Sequence, residues 1–100
     1  MNRTLQLLSL SQRAGKISSG EFKTEESVKS GQAFLVIIAS DASDNTKKKF
    51  INMCSFYEVP HYIFSEIEEL GRCIGKEFRA VLSVNDEGLA EKISSTFEIL

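Results

Sequence analysis

The segment 40–49 joins helix-capping side chains to three consecutive lysines, a combination that could bind an anion. Side-chain oxygens able to accept hydrogen bonds from the free amides of a helix start belong to Ser40, Asp41, Ser43 and Asp44. Lysines in a first helical turn oppose the helix dipole, so helix stability alone does not explain the lysines at positions 47–49. A solvated basic surface is the commoner reason for such a run. The alternative is an edge where helix amides and ammonium groups meet a phosphate.

A second candidate for phosphate binding surrounds Gly20. Arg13, Lys16 and Lys23 lie on either side of this glycine in the sequence. A glycine at a helix start allows backbone amides to approach a phosphate closely, and nearby cations would complete a cradle. Such contacts position a nucleic acid without reading its sequence. Solvated charge is the alternative explanation for these three cations.

The sequence shows no catalytic or metal-binding pattern, and we predict a protein that is not an enzyme and has no cofactor. It contains no phosphate-binding glycine motif, no serine nucleophile elbow and no zinc-type spacing. The single histidine, His61, has no companion at ligand spacing, and Asp41 is predicted to cap a helix rather than to catalyse a reaction. Cys54 and Cys73 lie in apolar surroundings outside any C-x-x-C pair, which favours buried, reduced thiols over a disulfide or a metal site.

Length and composition predict one domain spanning residues 1–100. Hydrophobic residues make up 42% of the chain, enough for a core without disulfides. The N-terminal apolar stretch 7–10 is too short for a signal peptide, and no run approaches a membrane span, so we predict a cytoplasmic protein without a membrane partner. The net charge is −2, but residues 1–50 carry eight basic against five acidic side chains, whereas residues 51–100 carry four against nine. A basic surface on an acidic protein is therefore allowed.

Hydrophobic spacing predicts alternating helices and strands. Helices are predicted over 3–14, 20–30, 45–57 and 65–74 and after Asn85, and strands over 16–18, 34–39, 61–64 and 79–84. The run 34–39 lacks alternation, which indicates a strand covered on both faces. Ser18 or Ser19 is predicted to cap the second helix and Asn85 the last one. This order of elements predicts an α/β layered sandwich.

Five ordered blocks resemble the ribosomal protein L7Ae/L30e superfamily, in particular its small bacterial YlxQ-type branch. The blocks cover residues 13–16, 19–20, 29–43, 45–49 and 70–76. The resemblance implies a three-layer αβα sandwich around a four-stranded mixed sheet. It also implies binding to kink-turn RNA, a sharply bent duplex with tandem sheared G·A pairs. Structured RNA, including ribosomal RNA, and other ribonucleoprotein components are therefore the expected partners.

The resemblance places RNA contacts at the start of the second helix and in the loop before the last strand. The residues predicted to contact RNA are Arg13, Lys16, Ser19, Gly20, Phe22, Lys23, Thr24, Lys47, Lys76, Phe78, Arg79 and Ala80. Gly20 and Thr24 match the family pattern. Phe78 has two possible roles: it stacks on a nucleotide flipped out at the bend, or it enters the core with the last strand.

Three positions depart from the family pattern and leave a second function open. The strongest kink-turn binders carry Asn, Glu and Lys where this chain has Phe22, Lys23 and Glu26. A carboxylate can accept from guanine's imino and amino groups, which the ammonium of Lys23 cannot do. The alternative is therefore a protein-interaction or regulatory module on the same fold. The arrangement of four cations distinguishes the two functions. RNA binding requires them to meet on one face around Gly20, and they are Arg13, Lys16, Lys23 and Arg79.

Overall fold

The structure is a computed structural model that describes residues 2–98, and within that range it contains five helices and four strands. In chain order these are α1 (Arg3–Arg13), β1 (Ile17–Ser19), α2 (Glu21–Lys29), β2 (Leu35–Ile38), α3 (Asp44–Tyr57), β3 (His61–Ile63), α4 (Ile67–Cys73), β4 (Val81–Val84) and α5 (Glu87–Ser95). The predicted elements are all present, with ends that differ by one or two residues. None of the helices in this range has both the length and the apolar character needed to cross a membrane.

The four strands form one mixed sheet in the order β1-β4-β2-β3. β2 and β3 are parallel, whereas β4 runs antiparallel to both β1 and β2. The residues that follow β1 and β2 and precede β4 therefore share one edge, the Gly20 edge, which also holds Ala39 and Ala80. The opposite edge, the Phe34 edge, holds the residues that precede β2 and β3, Phe34 and Pro60, and those that follow β4.

Helices cover both faces of the sheet, which confirms the three-layer sandwich. α2 and α3 pack on one face, and α1, α4 and α5 form the layer on the other. Residues 35–39 are fully buried, as the unbroken apolar run predicts. Phe34 was predicted to belong to this buried strand, but its side chain is 41% exposed. Its N–H donates to the Val84 carbonyl at 2.9 Å, so its backbone joins the sheet while its ring stays partly exposed at the Phe34 edge.

Two predicted helix caps are wrong. Gly20 occupies the cap position of α2, and no side chain accepts a hydrogen bond there. Asp86, not Asn85, caps α5: its carboxylate accepts from the Leu89 N–H at 2.9 Å. Ser18 and Asn85 are instead held in a hydrogen-bond network beneath α2, and the Ser19 hydroxyl accepts from Arg79 Nε.

That network joins α2 to strands β1 and β4. Ser83 Oγ donates to Asn85 Oδ1 at 3.0 Å, and Asn85 Nδ2 donates to Ser18 Oγ at 2.9 Å. Ser27 Oγ of α2 also donates to Ser18 Oγ, at 2.8 Å. Ser83 and Ser27 are buried, so these contacts satisfy hydroxyl groups that would otherwise lose water without compensation. The network therefore fixes the position of α2 over the sheet.

The capping side chains after β2 serve two different helices. Ser43 Oγ accepts from the Thr46 N–H at 3.1 Å and caps α3, as predicted. Asp41 also caps a helix, but a distant one: its Oδ1 accepts from the Ile67 N–H at 2.7 Å, at the start of α4. Glu66, the residue in the local cap position of α4, makes no side-chain capping bond.

Both cysteines are free thiols. Cys54 is fully buried on α3, and burial raises the pKa of its thiol to about 11. Cys73 is partly buried, and burial, assisted by the charge of Glu69, raises the pKa of its thiol to about 11 as well. Because the thiolate is the reactive form, neither thiol is activated as a nucleophile at neutral pH.

Candidate nucleic-acid interface

A depression of about 480 Å³ lies at the Gly20 edge of the sheet. The turn between β1 and α2 forms one side, and the loop before β4 forms the other. We call it the Gly20 depression, and its lining residues are Ser19, Gly20, Glu21, Phe22, Lys23, Lys76, Phe78, Arg79 and Ala80. Eight of these nine were predicted RNA-contacting residues; only Glu21 was not. Two segments separated by about 50 residues in the sequence thus form one surface.

Gly20 sets the turn that opens α2. Its backbone has φ +90° and ψ 162°, a conformation that side-chain-bearing residues rarely adopt. Its N–H donates to the Val81 carbonyl at 2.9 Å, which ties the turn to β4. A Cβ atom here would meet nothing within 4 Å, so the backbone angle, not space, requires glycine. No capping side chain accepts from the first amides of α2 at this edge, so these amides are available to bind an anion.

Two aromatic rings stand exposed on the depression. Phe22 is 78% exposed on the first turn of α2, and Phe78 is 61% exposed in the loop before β4. The exposure of Phe78 excludes the core role that the sequence left open. Exposure of apolar rings of this size to water is unfavourable. Such exposed rings are common where a base or another planar group stacks on them.

Arg79 holds the two sides of the depression together. Its Nε donates to Ser19 Oγ at 3.1 Å, and its Nη1 donates to the Phe78 carbonyl at 2.7 Å. These bonds use two of the five guanidinium N–H donors. The side chain therefore links β1 to the loop and adds a fixed positive charge to the depression, which the exposed Lys23 and Lys76 also line.

The loop that carries Phe78 rests directly on α4. Lys76 N–H donates to the Gly71 carbonyl at 2.9 Å, and Arg79 N–H donates to the Ile67 carbonyl at 3.2 Å. A Cβ atom on Gly71 would lie 2.5 Å from the Glu77 carbonyl oxygen and 2.8 Å from the Glu77 carbonyl carbon. Only glycine allows this approach. Gly71 is not among the predicted site residues, although a glycine inside a helical pattern can indicate close backbone packing.

Two predicted residues lie away from the depression. Thr24 is fully buried, and its hydroxyl donates to the Ser18 carbonyl at 3.4 Å, so it supports the turn from within. Lys16 precedes β1 whereas Gly20 follows it, and four residues of extended chain span about 13 Å. Lys16 therefore lies at the opposite edge of the sheet.

Two further predicted cations are not among the lining residues of the depression. Arg13 lines a neighbouring hollow that also contains Gly75, the residue before Lys76. Lys47 lies in the first turn of α3, beside Thr46, whose hydroxyl donates to Glu21 Oε2 at 3.1 Å. Of the four cations expected around Gly20, the structure thus brings Lys23 and Arg79 into the depression, joined by Lys76.

Some of the charge on the basic run is neutralised within the protein. Lys49 Nζ lies 2.9 Å from Glu25 Oε1, and Lys29 Nζ lies 2.7 Å from Glu25 Oε2. The two hydrogen bonds lower the pKa of the Glu25 carboxyl to about 2. Glu26 is exposed on the same helix. The face of α2 next to the depression is consequently mixed in charge rather than uniformly basic.

Comparison with known proteins agrees with this architecture. The profile of the "Ribosomal protein L7Ae/L30e/S12e/Gadd45 family" matches residues 2–94. The RNA-binding protein YlxQ of Bacillus subtilis (strain 168) is 41% identical over 92 residues, which cover 92% of each chain.

Two solved structures share the fold. A protein of unknown function from Bacillus halodurans C superposes with a TM-score of 0.95 at 36% identity, over 99% of this chain and 100% of that one. The Giardia lamblia 15.5kD RNA binding protein gives a TM-score of 0.79 at 25% identity, over 96% and 86% of the respective chains. Sequence and fold thus agree along nearly the whole chain, which belongs to the ribosomal protein L7Ae/L30e/S12e/Gadd45 family.

Proposed function

We propose that this protein is a non-catalytic RNA-binding protein that recognises kink-turn-like structured RNA at the Gly20 depression. The observation that carries the proposal is the convergence of two exposed rings, Phe22 and Phe78, with three cations at the start of α2. Relatives named as RNA-binding proteins, from Bacillus subtilis and Giardia lamblia, support the same class of ligand. We further propose that the chain is one cytoplasmic domain that works within ribonucleoprotein particles, including the ribosome.

The two sides of the depression suit different parts of a bent RNA. The amides at the start of α2, with Lys23 and Lys76, would bind phosphates that crowd together at the bend. Phe78 would stack on a base that the bend expels from the helix. Arg79 would hold the loop and the turn at a fixed separation, so that both contacts form on one RNA. A straight duplex offers the phosphates but no expelled base.

Binding measurements on three RNAs of equal length test this proposal. We expect a kinked duplex to bind more tightly than a straight duplex, and a duplex with a single bulged base to lie between them. Titrations between 50 and 200 mM salt should show affinity falling with salt, because phosphate contacts release counterions. Phe78→Ala should reduce the binding free energy by about 1–3 kcal/mol, and only for RNAs with an unstacked base. Lys76→Gln should lower the affinity for all three RNAs. It should also reduce the slope of log affinity against log salt concentration (the salt slope) by about one.

Lys92→Gln on α5, outside the depression, is the matched control and should leave the salt slope unchanged. Equal binding of kinked and straight RNA, or an equal effect of Lys92→Gln and Lys76→Gln, would contradict the proposal. Those results would favour a protein-interaction module on the same fold.

Glu26→Lys is expected to increase RNA affinity. Glu26 is exposed on α2 beside the depression, where its negative charge repels phosphate. Reversing that charge should tighten binding on the order of tenfold at low salt, with a smaller gain at high salt. Gel-shift titrations of the wild type, Glu26→Gln and Glu26→Lys should give three graded affinities. Glu98→Lys, at the Phe34 edge, serves as the control for net charge alone. An unchanged affinity in Glu26→Lys would show that RNA does not pass this face of α2.

A further inference from the structure

A groove of about 670 Å³ lies at the Phe34 edge, on the side of the sheet away from the Gly20 depression. α5 forms one wall, and the ends of α2 and α3 form the other. The segment that leads into β3 closes the groove at its base. The proposed RNA contacts use none of these residues.

The floor of the groove is apolar, and two rings stand partly exposed on it. Val59 and Ala90 are buried beneath the groove, while Phe34 and Tyr57 are each 41% exposed. The Tyr57 ring is braced by an edge-to-face contact with Phe56, at 4.9 Å between centroids. An apolar side chain laid between Phe34 and Tyr57 would remove both rings from water, and this burial favours occupation of the groove.

The rim of the groove is strongly acidic. Its carboxylates come from Glu58, Glu87, Glu91 and Glu98. Over residues 2–98 the ion pairs are Lys29–Glu25, Lys49–Glu25 and Arg72–Glu68, so none of these four carboxylates has a cationic partner there. The one basic side chain in the lining, Lys29, is bound to Glu25, and that hydrogen bond raises its pKa. The groove thus presents an apolar floor with uncompensated negative charge around it.

We propose that this groove binds a lysine- or arginine-rich peptide segment with an apolar residue at its centre. The apolar residue would pack between Phe34 and Tyr57, and the flanking cations would face Glu87 and Glu91 on α5. The charge argues against a second RNA, since phosphates would meet four carboxylates. Because the two surfaces lie at opposite edges of the sheet, the protein can hold RNA and a basic protein segment at once. The groove proposal does not depend on the RNA proposal.

Fluorescence anisotropy with a labelled synthetic peptide tests the groove. The probe is eight residues long, with a leucine–phenylalanine pair at its centre and three lysines on each side. Two comparison peptides replace either the apolar pair by glycine or the lysines by glutamate. We expect the lysine–leucine–phenylalanine peptide to bind, the glycine peptide to bind at least several-fold more weakly, and the glutamate peptide not to bind. Binding should weaken as salt is raised.

Matched variants locate the binding. The double variant Glu87→Gln, Glu91→Gln should lower the affinity for the peptide on the order of tenfold. The double variant Glu66→Gln, Glu68→Gln makes an equal charge change at α4 and should leave the affinity unchanged. Tyr57→Ala should weaken it several-fold, and Phe56→Ala, which removes a neighbouring ring that is 79% exposed, should have a smaller effect. Affinity for RNA should stay unchanged in the glutamine variants.

Two outcomes would overturn the proposal. An equal loss of peptide affinity in the two double glutamine variants would mean that peptide binding responds only to the net charge of the protein. Sedimentation showing a dimer that the Tyr57→Ala change dissociates would mean that a second copy of the chain occupies the groove.

Discussion

Gly71→Ala is expected to destabilise the protein and to weaken RNA binding together. The new Cβ atom would lie 2.5 Å from the Glu77 carbonyl oxygen, closer than any real contact allows, and both neighbouring atoms belong to backbone. α4 and the loop must therefore separate, which strains the Lys76–Gly71 hydrogen bond. We expect the free energy of unfolding to fall by about 1–3 kcal/mol, as in other overpacked sites. Phe78 should move with the loop, so affinity for kinked RNA should fall as well.

Gly88→Ala provides an internal control for Gly71→Ala. Gly88 also lies in a helix, α5, but a Cβ atom there would make only an ordinary 3.5 Å contact with the Asp86 carboxylate. Since alanine favours the helix, this change should raise the free energy of unfolding by about 0.5–1 kcal/mol. Urea denaturation followed by circular dichroism measures both variants. Equal stability changes in the two would show that the loop does not press on α4.

Asn85→Ala is expected to destabilise the fold more than removal of the neighbouring helix cap. The substitution removes the acceptor of Ser83 Oγ and a donor to Ser18 Oγ, and Ser83 is fully buried. Leaving a buried hydroxyl without its partner costs about 1–3 kcal/mol, so we expect a loss of about 2 kcal/mol or more. α2 loses part of its attachment to the sheet, and RNA affinity should decrease with it.

Asp86→Ala is the comparison for Asn85→Ala, and it should cost about 1 kcal/mol through loss of the α5 cap. The same urea titrations measure both variants. A larger effect for Asp86→Ala than for Asn85→Ala would mean that water replaces the asparagine at little cost and that the network does not anchor α2.

The layered fold was predictable because its signals are local. The unalternating run 35–39 requires cover on both faces, and the structure provides it. Helix caps were harder to predict, because a side chain caps a helix only if the fold brings it within hydrogen-bonding distance of the helix's first amides. Asp41 lies in the loop between β2 and α3, yet its partner is the amide of Ile67, and Asn85 lies beside a helix start that it does not cap.

The candidate site was predictable from the family resemblance rather than from spacing. The resemblance selected both segments that line the Gly20 depression. Charge counting did not, since it grouped Lys16 with Lys23 although a strand carries them to opposite edges. A glycine within a helical pattern can indicate close packing at Gly71, but its partner, Glu77, depends on the path of a loop, which no local pattern encodes. Phe34 was predicted as core, so the groove beside it could not be foreseen.

The cap that Asp41 gives to α4 has a consequence for the order in which the protein assembles. α4 has seven residues, too few to persist as an isolated helix, and its capping acceptor lies 26 residues away, in the loop after β2. We therefore expect α4 to become stable only once the loop after β2 is in place. The loop with Phe78 rests on α4, so we expect hydrogen exchange in the loop to be faster than in the buried strands. A ligand held by that loop would stabilise α4 and the loop against local unfolding. Its binding would therefore slow the local opening of α4.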